Sequence, residues 1–309
     1  MVSPLKGRNP ANPEIPVILL QTMGGRMPNA YGDLTTLKSA AFLNAPDDGQ
    51  DERLLGMLET ASRWIDGYCD RHFFTSTGER RFDGTGRVVL AVTDLVSADE
   101  VRVRQGSTGR WIGWNSGDWL AYPLNAAPTE PDRRPYTRIV VTAGGRRFPL
   151  SRGGVIIAGL WGYGDVREDT GLQVSGAEAA AGDVEITVAA SGDVSAPLSA
   201  GHTVRIGDEQ MYVTVVSDDG QGTITLAVQR GVNGTTPATH ATNSGVSVYR
   251  YPSAVTEACL QQAALWWRER LGAPFLTPES DGRGDAGDVS PAVRTLLKPY
   301  RRRAAALGV

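Results

Sequence analysis

The sequence predicts an α+β protein, a helical connector core carrying a small antiparallel β-sheet, with an all-β module of sandwich or barrel type inserted into it. Three observations predict this. The run after residue 50 repeats apolar residues at three- and four-residue steps, the signature of one buried helical stripe. From residue 79 the texture breaks into short runs separated by turn residues, several with period-two alternation. Residues 168–251 then shift to Ala, Gly, Ser, Thr and Val before a second strong helical run begins.

Residues 1–32 are rich in proline and glycine and show little periodicity, which predicts an extended N-terminal arm. The connector core is placed at residues 33–167. It opens on DLTTLKSAAFL, where Asp33 is a candidate N-cap and Leu34, Leu37 and Ala41 share one side. The long helix follows, with Leu54, Leu58, Ala61, Ile65 and Cys69 as its core stripe. Asp51 and Glu52 fall in its first turn and Arg71 and His72 are read into its last, each complementing the helix dipole. The sheet comes next, in runs such as RVVLAV, EVRVRQ, TRIVVT and VIIAGLWGYG.

Within the inserted module, VEITVAA, HTVRIGDEQMYVTVVS, GTITLAVQ and VSVYRY alternate and are joined by GD, DDGQG and NG turns. Helix returns at residues 252–273, where Val255, Cys259, Ala263, Trp266 and Trp267 form an apolar stripe that Gly272-Ala273-Pro274 ends. A polar linker is expected at 274–289, and a basic C-terminal segment at 290–309.

Bulk properties exclude several classes. The 309 residues carry 34 acidic and 31 basic side chains, a formal charge of −3, which argues against a protein gripping nucleic acid over its whole surface. The chain has two cysteines, far apart, and three histidines, with no CxxC or clustered His/Cys spacing, so neither a structural metal site nor a cofactor is expected. No apolar run approaches the roughly 20 residues needed to cross a bilayer, so a soluble protein made in a cytoplasm, with no membrane partner, is expected.

Candidate chemistry is sparse. YCDRHF, residues 68–73, gathers a thiol, a carboxylate, a guanidinium and an imidazole, the raw materials of a nucleophilic site. Helical phase assigns Cys69 to the buried stripe instead and turns Asp70 away from it. The acids of DGRGDAGD do not match the ligand spacing of a calcium loop, and GTGR and TAGGRR lack a following P-loop lysine. No catalytic residue is assigned. The one charged cluster that stands out is the C-terminal run, in which Val293, Arg294, Leu296, Leu297, Lys298, Tyr300, Arg301, Arg302 and Arg303 contain no acid. One reading is a disordered basic tail; as a binding segment, its apolar members favour an acidic protein surface over DNA phosphates as its target.

The order of these parts resembles the head–tail connector, or adaptor, proteins of tailed bacteriophages. The resemblance is carried by DLTTLKSAAFL, then DERLLGMLETASRWIDGYCDRHF, DLVSADEVRVR, DWLAYPLNAAP, PYTRIVVT, GGVIIAGLWGYGDV, PSAVTEACLQQAALWWRER and SPAVRTLLKPYRR, roughly residues 33–166 and 252–303. It implies a structural virion protein at the head–tail interface: a ring of twelve copies under the portal, lining a channel through which genome DNA passes without sequence-specific binding. A stopper or tail-terminator protein would dock on its far side. It also implies that the run Val293–Arg303 engages the portal. The N-terminal arm and the β-insert depart from the family pattern. Two other readings stand beside it: a tail or virion-surface module whose β-insert recognises a host ligand, and a hydrolase using Cys69 and His72.

Overall fold

The computed structural model describes residues 28–45, 47–106, 109–130, 134–142, 144–270 and 290–302. The predicted linker at 274–289 and most of the predicted arm lie outside the described residues.

Helix α1 (Leu34–Lys38) is capped by Asp33, whose side chain accepts from the Thr36 N–H at 2.9 Å. Helix α2 (Asp51–Cys69) buries every residue of the predicted stripe, Leu54, Leu58, Ala61, Ile65 and Cys69. Of these, Leu54, Leu58 and Ile65 contribute about 1.5–3 kcal/mol each when fully buried. The helix stops earlier than its sequence suggested. Asp70 adopts the left-handed conformation (φ +53°), and its N–H and that of Arg71 both close on the Asp66 carbonyl. Arg71 and His72 therefore lie beyond the last turn and cannot act as its terminal cations. Helix α3 (Ser253–Arg270) packs on α2, and α4 (Pro291–Leu297), capped by Ser290, packs on α3. Residues 28–32 belong to this core as well: Asn29, Ala30 and Tyr31 are buried.

The first sheet is antiparallel, with β1 (Ser76–Thr85), β2 (Val89–Gln105), β3 (Arg110–Trp114), β4 (Trp119–Tyr122), β5 (Tyr136–Val141) and β6 (Leu150–Trp161). Its order is β1-β6-β2-β5-β4, with β3 also on β2. Register shifts between Ala91 and Leu95, Leu95 and Ser97, and Ala98 and Glu100 interrupt β2. Its N-terminal half pairs with β5 and its C-terminal half with β6 and β3, so both halves cover one core of Leu90, Leu95, Val101, Ile139, Ile157 and Trp161.

The second sheet is a closed barrel of β7 (Arg167–Val174), β8 (Glu185–Ala190), β9 (Thr203–Ile206), β10 (Glu209–Asp218), β11 (Thr223–Gln229) and β12 (Gly245–Tyr249), in the order β10-β11-β8-β7-β12-β9. Inward residues such as Leu172, Val188, Val204, Met211, Leu226 and Val248 fill it. Closure leaves no edge strand to blunt.

This architecture overturns the expected fold class. The protein is mostly β, and among the described residues there are two sheets and only α2 and α3 of the helices exceed two turns. It does not have a helical connector core bearing a small sheet. The strands run through positions that read as turns, Asp94–Glu100 above all, because bulges absorb the polar residues without ending β2. The helices form a layer into which the barrel contributes Ala200, Tyr212 and Val232. Barrel and helices are further joined by the Leu34 N–H donating to the Ala200 carbonyl at 2.9 Å and by the Asn29–Asn233 side-chain pair at 2.6 Å.

Candidate functional site

The turn that ends α2 opens a cleft of about 510 Å³ between the helices and the first sheet. Two buried aspartates organise it. Asp66, one turn before the helix end, accepts from the Tyr31 hydroxyl and faces the Arg63 guanidinium at 3.2 Å and His72 Nδ1 at 3.1 Å. The Tyr31 oxygen in turn accepts from the Phe73 N–H at 3.0 Å, which fixes where YCDRHF leaves the helix. Burial, reinforced by the neighbouring Asp66 charge, holds the Tyr31 hydroxyl well above its ordinary pKa, so it remains a donor.

Asp94 sits on β2 where the strand bends. Its Oδ2 meets Arg302 Nη2 at 3.0 Å and Arg71 Nε at 3.5 Å. The Arg302 N–H donates to the Cys69 carbonyl at 2.9 Å, capping one of the acceptors left open at the end of α2. Arg80 reaches the same space from β1, with Nη1 donating to Thr93 Oγ1 at 2.6 Å and its guanidinium 4.5 Å from the Trp161 ring centroid. Burial lowers its pKa, an effect that the Asp94 charge opposes.

Cys69 is fully buried beside this cleft. Burial pushes its thiol up to about 12, with Arg71 only partly offsetting it. A thiol in that state is a poor nucleophile. His72 turns its ring to Asp66 and Phe74. The chemistry of the cleft is that of an ion-pair network tying three distant stretches together.

The C-terminal run, predicted as a portal-binding patch, divides in two. Val293 and Leu297 are buried in the helical core. Leu296 and Tyr300 pack against that core, the Tyr300 ring lying edge-on to Phe73 and Tyr163. Arg302 belongs to the cleft. Arg294, Lys298 and Arg301 remain exposed, Arg301 with its guanidinium 4.9 Å from the Tyr68 ring centroid. Arg303 lies outside the described residues.

A second polar centre lies at one end of the barrel. Glu209 is buried and accepts from Arg230 Nε and Nη2, from the N–H groups of Gly231 and Ala238, and contacts His240 Nε2 at 2.8 Å. These partners overcome the burial that would raise its pKa and hold it at about 2. The network pins RGVNGTTPATH to the barrel.

Sequence reasoning did not pick out Tyr31, Asp66, Arg80, Asp94 or Glu209. A signal existed for Asp66: with Ser62 it flanks the apolar stripe at a four-residue step, a polar pair where burial was already inferred. The other four have partners too distant in sequence to be paired by pattern.

Among the described residues no group of three or more His, Cys, Asp and Glu side chains is arranged to hold a metal ion, and no helix is long and apolar enough to cross a membrane. No family model matches the chain, and no curated protein matches it. Among solved structures it is similar to a chain in the neck of an empty GTA particle computed with C6 symmetry, with a TM-score of 0.30 and 16% identity over 43% of this chain. The matched region spans 65% of that chain's length. A likeness so low is a weak match and carries no argument about role.

Proposed function

We propose that the chain is a structural, non-enzymatic virion protein of the head–tail connector type, assembling as a ring beneath a portal and offering its other side to a stopper or tail-terminator protein. The observation that carries this reading is the convergence of the helical segments among those bearing the resemblance. α1, α2, α3 and α4 are scattered from residue 34 to residue 297, yet they share one hydrophobic core. The barrel lies between β6 and α3 in the chain and lends Ala200, Tyr212 and Val232 to that core. The proposed ring has twelve copies, as the resemblance implies, and genome DNA passes through it without sequence-specific contacts.

The C-terminal run is the proposed portal contact, through its exposed cations. Because Val293 and Leu297 are core residues, deleting the run would unfold the protein and test nothing. The informative variant is Lys298→Glu with Arg301→Glu, which reverses exposed charge and leaves the core intact. Co-purification of the full chain with the portal ring of the same virus is expected to be lost in this variant while its thermal transition is retained. Unchanged co-purification would remove the C-terminal run from the portal interface.

A further inference from the structure

One end of the first sheet is apolar and basic in a way its own subunit does not use. Leu120, Val140 and Val89 are direct cross-strand neighbours on β4, β5 and β2, and form a row with Leu120 and Val89 exposed. Leu150, at the start of β6 and packed near Gly86 of the β1–β2 turn, is 85% exposed. Around them stand Arg87, Arg138, Arg147 and Arg152, all exposed, Arg138 with its guanidinium 5.5 Å from the Tyr122 ring centroid, and among the described residues none of the four forms an ion pair. The imbalance is general. Residues 76–161 contain twelve arginines and eight carboxylates, whereas residues 167–250 contain four arginines and ten carboxylates.

The barrel's surplus is concentrated where β8 ends and β10 turns into β11. Asp169, Asp193, Asp218 and Asp219 are exposed there and form no ion pair among the described residues, and Val194 beside them is 44% exposed. The two ends are complementary in charge, and each carries apolar surface. They cannot meet within one chain. The barrel touches the first sheet at the other end of β1, where Gln210 donates to the Thr75 carbonyl and a Cβ on Gly234 would stand 2.3 Å from the Thr77 oxygen. Ten residues of extended β1 then carry the arginine-rich tip about 30 Å away.

We propose that this tip receives the acidic end of the barrel of a second copy of the chain, joining subunits head to tail. The inference deepens the ring reading above, since only a heterologous contact of this kind closes a ring. DNA would complement the arginines alone. It gives no reason for Leu150 to stand bare among them, and the barrel offers both the charge and the apolar surface required.

Two full-length variants, Leu150→Cys and Val194→Cys, test it, because both native cysteines are buried. Mixed and oxidised, they are expected to give the mixed disulfide dimer in roughly tenfold excess over either like-with-like dimer. The yield is expected to fall with salt. Adding Arg87→Glu and Arg138→Glu to the first variant should abolish the dimer, and Asp218→Arg with Asp219→Arg in the second should restore it. Equal yields of all three dimers, or dominance of the Leu150→Cys pair, would overturn the proposal. So would absence of the mixed dimer, with or without duplex-DNA binding that the arginine variants abolish. Neither result touches portal co-purification, so loss of the portal contact with the dimer intact would instead count against the connector reading.

Discussion

Arg302 donates from Nη2 to Asp94 Oδ2 across 3.0 Å, joining the C-terminal segment to the bend of β2 over 208 residues of sequence. Arg71 shares the same carboxylate oxygen. Removing the acid leaves the largely buried Arg71 guanidinium without its counter-ion, while the more exposed Arg302 keeps only Asp70, at 3.8 Å. Asp94→Ala is therefore expected to cost about 3–5 kcal/mol, the range for breaking a buried pair, read as a lower urea midpoint at unchanged slope. Arg302→Ala, from a more exposed position, is expected to cost about 1 kcal/mol and to speed amide exchange across residues 291–302.

Tyr31→Phe removes the hydroxyl that bridges Asp66 and the Phe73 N–H while retaining the ring's packing. The lost donor to a charged acceptor predicts a destabilisation of about 1.5–3 kcal/mol. The thermal midpoint of the variant checks this, with Phe42→Leu in the same core as a packing control.

Acid is expected to loosen the barrel through Glu209. Its folded pKa, about 2, lies below the ordinary glutamate value, so its contribution is fully present above pH 4.5 and is lost as pH falls toward 2. The shift corresponds to something on the order of 3 kcal/mol. Glu209→Gln should be less stable at neutral pH and should show a flatter stability profile between those limits.

Cys69 is expected to resist alkylation in the native state and to react on unfolding, as its burial and raised pKa require. Cys69→Ala should lower stability by about 1–2 kcal/mol as a small core truncation, and portal binding should persist. Rapid native-state labelling would contradict the core assignment.

Much of the local structure was legible in the sequence. The α2 stripe, the Asp33 cap and the helical return at Ser253 rest on periodicity and capping, which act within a few residues. The balance between helix and sheet was not legible, because β2 continues through Asp94, Ser97, Asp99 and Glu100, residues that mark a turn unless a bulge accommodates them. Barrel closure depends on β12 pairing with both β7 and β9, contacts set by tertiary packing. The C-terminal run illustrates a different limit. Val293 and Leu297 at a four-residue step suit a partner's groove and the protein's own core equally well, and only the fold distinguishes the two. The cleft was hidden for the same reason, since Tyr31, Asp94 and Arg302 come from three remote stretches.

The most direct test of the central claim is native mass spectrometry of the full chain mixed with the portal ring of the same virus. The account predicts a closed ring of this chain bound to the portal, with its subunits released stepwise as salt rises. A chain that stays monomeric and leaves the portal bare at every concentration would contradict it.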